Sequence, residues 1–156
     1  MKRFLLVIIT VLLVGSLTTS IVIADNLDNR IGIGLGNPYF GIKYGLSSKF
    51  SIEGRGAFGS GIFAGGARLY YNFNPEYRVV IFVGGEGDYI SFDVDDVEGS
   101  GFVAYGFVGG EYFITRRFTF NLDIGPAYIF VRENQFDFNE KGLEWVFNLG
   151  INYYFK

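Results

Sequence analysis

The C-terminal run LEWVFNLGINYYFK, residues 143–156, decides the fold. Taken two at a time, Leu143, Trp145, Phe147, Leu149, Ile151, Tyr153 and Phe155 form one unbroken apolar row. Glu144, Val146, Asn148, Gly150, Asn152 and Tyr154 form the other. A repeat of two is that of a β-strand whose faces meet different surroundings. Ordinary strands run to about five or six residues, whereas a tilted strand crosses a bilayer in roughly nine to eleven. This run is long enough to cross.

Upstream, the same alternation recurs in segments separated by turn residues. The sequence predicts strands over 27–36, 39–46, 49–58, 61–73, 78–91, 102–114 and 117–131 before the last one. Asn37-Pro38, Ser47-Ser48, Gly59-Ser60, Asn74 to Tyr77 and Thr115-Arg116 punctuate them, and 93–100 and 132–142 read as longer loops. The glycine-rich first hairpin is the least defined. If 30–46 were one strand broken by Pro38, the number would fall from eight to seven. Residues 1–24 have the parts of a secretory signal, with Lys2 and Arg3 ahead of an apolar run and Ala24 before Asp25. The competing reading of that stretch is a retained helical anchor. The expected organisation is therefore a signal over 1–24 and one all-β domain over 25–156, a single antiparallel up-and-down barrel.

Asn148, Gly150, Tyr153 and Phe155 are similar to the C-terminal signal of bacterial outer-membrane β-barrels, departing from it by the added Lys156. The chain from Asp25 to Phe155 resembles, as architecture, the small eight-stranded OmpA/OmpX-type barrels. That resemblance implies an outer-membrane location after export, outer-membrane lipid as surroundings, and insertion by the barrel-assembly machinery. It also implies a monomer with its longer loops outside. No second domain follows Phe155, so the peptidoglycan anchoring of full OmpA-type proteins is not implied.

Which row faces outward is a question of volume. The apolar rows hold about three dozen large side chains, while a small eight-stranded barrel encloses on the order of a dozen to twenty. The apolar rows must therefore face lipid, and the polar rows the lumen. A soluble barrel carrying a hydrophobic ligand is the alternative that this volume argument opposes. The inward rows then bring together Lys43, Glu53, Arg55, Arg68, Glu86, Asp88, Glu111, Asp123 and Glu144. Carboxylates outnumber bases among them, which calls for hydrogen bonds from neighbours such as Tyr70 and Asn121. Such a network suits a polar plug, or a narrow cation-preferring pore.

Composition removes other chemistries. The chain has no Cys and no His among 156 residues, so disulfides, thiolate metal sites and imidazole bases are absent. Barrel enzymes that act on lipid A or its acyl chains rely on His with Ser or Asp, and nothing here would activate Ser60, Ser91 or Ser100. A net charge of −3 without a basic patch speaks against nucleic acid. Asp93, Asp95, Asp96 and Glu98 lack the spacing of a calcium loop, and the GxGxG run in 31–36 opens no helix that could cradle phosphate. No catalytic residue, metal or cofactor is expected.

Overall fold

The structure is a computed structural model and describes residues 27–36, 39–94, 97–133 and 139–155. The signal at 1–24, the Asn37-Pro38 turn, Asp95, Asp96 and Lys156 lie outside the described residues. Eight antiparallel strands close into one barrel in chain order: β1 (Ile31–Gly36), β2 (Phe40–Gly45), β3 (Phe50–Gly59), β4 (Ile62–Asn72), β5 (Val79–Val94), β6 (Val97–Phe113), β7 (Phe118–Glu133) and β8 (Asn139–Tyr154). The first hairpin is two strands, with Gly32 opposite Lys43 and Leu35 opposite Phe40.

Closure rests on register. From Gly32 the partners across successive strands are Lys43, Glu53, Arg68, Glu86, Tyr105, Ala127 and Glu144, yet Gly32 itself pairs with Tyr154, ten positions beyond Glu144. Such a stagger tilts the strands around the axis and lets a narrow barrel close on itself. One row across the sheet is thus a spiral that climbs the wall. Residues sharing a face do not share a height.

The outer strand pairs differ from the sequence expectation in length. The described residues of 93–100 are strand and not loop: β5 continues to Val94, β6 begins at Val97, and Asp93 lies opposite Glu98 in the ladder. The described residues of 132–142 are likewise strand, since β7 runs to Glu133 and β8 starts at Asn139. Acidic side chains do not end these strands, because a ladder uses backbone groups and leaves charged side chains to solvent on either face. The tight turn between β3 and β4 sits one residue later than expected. Ser60 and Gly61 both take positive φ, 47° and 80°, as a two-residue hairpin turn requires.

The wall is uneven. β8 pairs with β7 from Asn139 to Tyr153 but with β1 only over 150–154, because β1 and β2 have six residues each. Pro126 leaves a second irregularity. The β6–β7 ladder stays in register but skips Gly106 and Phe107, where proline has no N–H to donate. The two backbones come close at that point. A Cβ on Gly125 would overlap the carbonyl of Gly106 and the Cα of Phe107.

Burial alternates with the strands. Among large apolar residues outside, Phe58, Phe102, Leu143, Trp145 and Phe147 are each at least 60% exposed to the surroundings. Inside, Leu27, Val80, Phe113 and Tyr154 form an apolar plug at the end where the chain enters. Arg30 caps that end, its Nη2 donating to the Arg116 carbonyl at 2.9 Å.

Replacing Gly125 with Val forces two backbones apart and is expected to cost about 3 kcal/mol, the upper range for overpacking. Gly87, with open space around an added Cβ, should accept Ala within about 0.5 kcal/mol. Urea unfolding of the detergent-refolded barrels, followed by the gel shift between boiled and unboiled samples, checks both values.

Candidate functional site: the polar lumen and its outer cavity

Lumen side chains come from odd positions on β2, β3, β6 and β7 and even positions on β1, β4, β5 and β8, as the pairing dictates. Arg68 sits at their centre and is fully buried. Its Nη1 and Nη2 each lie 2.9 Å from an oxygen of Asp123, and its Nε donates to Glu86 at 2.6 Å. The fork geometry of guanidinium matches a carboxylate with two parallel bonds. Asp123 also accepts from the Tyr105 hydroxyl at 2.8 Å and from Asn148 Nδ2 at 3.0 Å. The guanidinium stacks over Phe107, 3.9 Å from the ring centre.

A second pair lies nearer the apolar plug. Lys43 Nζ donates to Glu111 Oε2 at 2.8 Å and rests over the Tyr70 ring, 4.1 Å from its centre. The other Glu111 oxygen accepts from Thr119 at 2.6 Å, Tyr154 at 2.7 Å and Asn152 at 2.8 Å. Four donors on one carboxylate replace the water it lost. Tyr70 connects the two pairs, since its hydroxyl accepts from Arg68 while its ring lies under Lys43; the same hydroxyl donates to Glu53.

Toward the outer end, Arg55 bonds Glu53 at 3.2 Å and Glu86 at 3.4 Å, with the Tyr39 ring lying over its guanidinium. Its side chain is 5% exposed, yet its Nη2 has no partner. Asp88 lies two positions beyond Glu86 on the same inward face of β5. Together with Arg55 they line a cavity of about 280 Å³. Its upper wall is apolar, made by Ala57, Ala64, Ile90, Val103, Ile129 and Val146. β1 and β2 contribute no strand residue to this wall, only Tyr39 from the connection between them, because both strands end below it.

Eight of the nine ionic residues expected in the lumen, all but Glu144, occupy this cluster or the cavity floor. Glu144 does not join them. It is exposed, and shares a recess at the outer end with Lys141, Val131 and Ile129. Its row points inward, but the stagger lifts β8 at that position above the ion pairs. The lumen also holds aromatics that the polar rows alone did not announce: Phe82, Tyr105 and Phe107 are buried beside Tyr70, and Phe113 is buried in the plug. Their parity with Glu86 and Glu111 was the available signal. Tyr70 does supply the hydrogen bond expected of it, its hydroxyl donating to Glu53. The acceptor end of Asn121, Oδ1, is buried without a partner. In the terminal strand, Asn148 and Gly150 face inward while Tyr153 and Phe155 face outward with rings 5.3 Å apart.

No protein-family model and no curated protein sequence matches the chain. Among solved structures, it is similar to the N-terminal β-barrel domain of Pseudomonas aeruginosa OprF. The TM-score is 0.54 at 14% identity, covering 81% of this chain and 94% of that one. The shared fold is a closed eight-stranded antiparallel barrel. At this identity the likeness carries the architecture alone.

The pairing of Lys43 with Glu111 yields a sharp expectation. Lys43→Met leaves a buried carboxylate without its cation and should cost about 3–5 kcal/mol. Lys43→Met combined with Glu111→Gln should recover part of that loss, because no charge is stranded and the Gln carbonyl oxygen still accepts from Thr119, Tyr154 and Asn152. Urea midpoints of the two variants in the same detergent check the order.

Proposed function

We propose that this protein resides in the bacterial outer membrane as a closed, monomeric barrel whose role there is structural or interactive, without conduction or catalysis. The observation that carries the reading is the filled cross-section: Lys43, Glu53, Arg68, Tyr70, Glu111 and Asp123 are all buried, above a plug of Leu27, Val80, Phe113 and Tyr154. Ions that already satisfy one another offer no hydrated path. Support for the location comes from the outward apolar side chains and from the fold shared with an outer-membrane protein's barrel domain. Export by the segment 1–24 and insertion by the assembly machinery through Asn148, Gly150, Tyr153 and Phe155 belong to the same proposal. Among the described residues, no group of three His, Cys, Asp or Glu side chains could hold a metal.

A second reading, a gated narrow path for cations, draws on the acid excess. Three bases, Lys43, Arg55 and Arg68, face five acids, Glu53, Glu86, Asp88, Glu111 and Asp123. Purified protein in planar bilayers separates the two. A closed barrel predicts a flat current trace at 100 mV in molar KCl, while stepwise openings of uniform size, cation-selective in a salt gradient, would establish the pore.

A further inference from the structure

The outer cavity has three properties that a plug does not require. Its upper wall is hydrocarbon, its floor carries surplus negative charge, and one buried donor on that floor is unused. Arg55 and Arg68 face Glu53, Glu86, Asp88 and Asp123, so two carboxylates in this part of the lumen lack a cation of their own. Among the described residues Asp88 is in no ion pair, and it lines the cavity beside Glu86, two positions away on the same inward face of β5. Two carboxylates on the floor of one cavity repel each other, and a cation between them relieves that repulsion. Arg55 Nη2, shut inside without an acceptor, is the unused donor.

We propose that this cavity is a binding site for a small amphipathic amine. The ammonium would lie between Asp88 and Glu86, an adjacent hydroxyl or carbonyl oxygen would accept from Arg55 Nη2, and a short hydrocarbon body would lie against Ala57, Ala64, Val103 and Ile129. The volume of about 280 Å³ holds on the order of ten heavy atoms at the space a water-sized group takes. Access is from the side where the wall is low. Phe155 N–H bonds Ile31 and Tyr154 N–H bonds Arg117, so odd residues of β8 address β1 and even ones address β7. Since β1 stops at Gly36, opposite Gly150, the backbone edge of β8 from Phe147 back to Lys141 has no strand beside it among the described residues. The gap so left is bounded by Tyr39, whose ring covers Arg55. An anionic amphiphile of the same length is disfavoured, because it would add a further negative charge to a floor that already has too many.

The test holds the chain length constant and varies the head. Refolded barrel in detergent micelles, labelled with ¹³C at alanine methyls, is titrated with 2-amino-1-hexanol, hexylamine, 1-hexanol and hexanoate while Ala57 and Ala64 are followed by NMR. The expected order is saturable binding of the amino alcohol, about tenfold weaker binding of hexylamine, weaker again for hexanol, and no saturation with hexanoate. Asp88→Asn should bring the amino alcohol to the level of hexanol, and Ala64→Leu, which fills the cavity, should abolish binding of the three that bind, read at Ala57. Hexanoate binding as tightly as the amines would overturn the proposal. So would equal affinities for hexylamine and hexanol, or the lack of any saturable shift in a wild-type barrel that still migrates as folded. A closed, silent barrel is compatible with any of these results, so the outcome leaves the functional reading above to its own test.

Discussion

Arg68 is a permanent cation that no water reaches, and the lumen is arranged around that fact. A guanidinium carries its charge at any accessible pH, so inside a cylinder surrounded by hydrocarbon it must be neutralised by side chains held at the right distance. Asp123 from β7 and Glu86 from β5 do this from opposite sides of Arg68 on β4. Each anion is then saturated by further donors, Tyr105 and Asn148 on Asp123 and Arg55 on Glu86. Pairing of this kind makes no large net contribution to stability against an apolar core of equal volume. It does penalise misregister, because a slip of one residue would turn Arg68 to the lipid and a slip of two would part it from Asp123. The ion cluster therefore ties together strands that are far apart in sequence.

Much of this was legible in the sequence because a strand's side-chain period is two and needs no tertiary information. The parity of Leu143, Trp145 and Phe147 assigned the outward face, and volume decided which face was outward. What parity cannot give is height. Glu144 shares the inward row with Asn148 and Asn152, but only the stagger of the closed barrel places it above the ion pairs. Strand ends were equally hidden at the outer rim, where the acidic Asp93 and Glu98 read as loop although the backbone ladder runs through them. The inward aromatics Phe82 and Phe107 were obscured for another reason. In β5 and β6 both faces carry apolar residues, so the alternation fades where the lumen itself turns aromatic.

That aromatic layer explains how so narrow a lumen accommodates so much charge. Tyr70, Phe82 and Phe107 meet edge to face, with centroids 5.2 to 6.0 Å apart, and present ring faces to Lys43 and Arg68. Rings fill the volume that water would otherwise occupy, while their electron-rich faces partly offset the desolvation of the cations. Above this layer the filling thins toward Ala57, Ala64 and Ala127, which is why a cavity opens there.

The account depends on the outward row facing acyl chains, and Trp145, the single tryptophan of the chain, reports on that directly. It is 75% exposed on the outer face of β8. Its fluorescence in vesicles of ordinary and of brominated phosphatidylcholine, with aqueous iodide as the opposing quencher, gives the most direct measurement. The structure predicts blue-shifted emission that brominated chains quench strongly and iodide hardly at all. Emission quenched by iodide and indifferent to bromine would place Trp145 in water and contradict the membrane barrel.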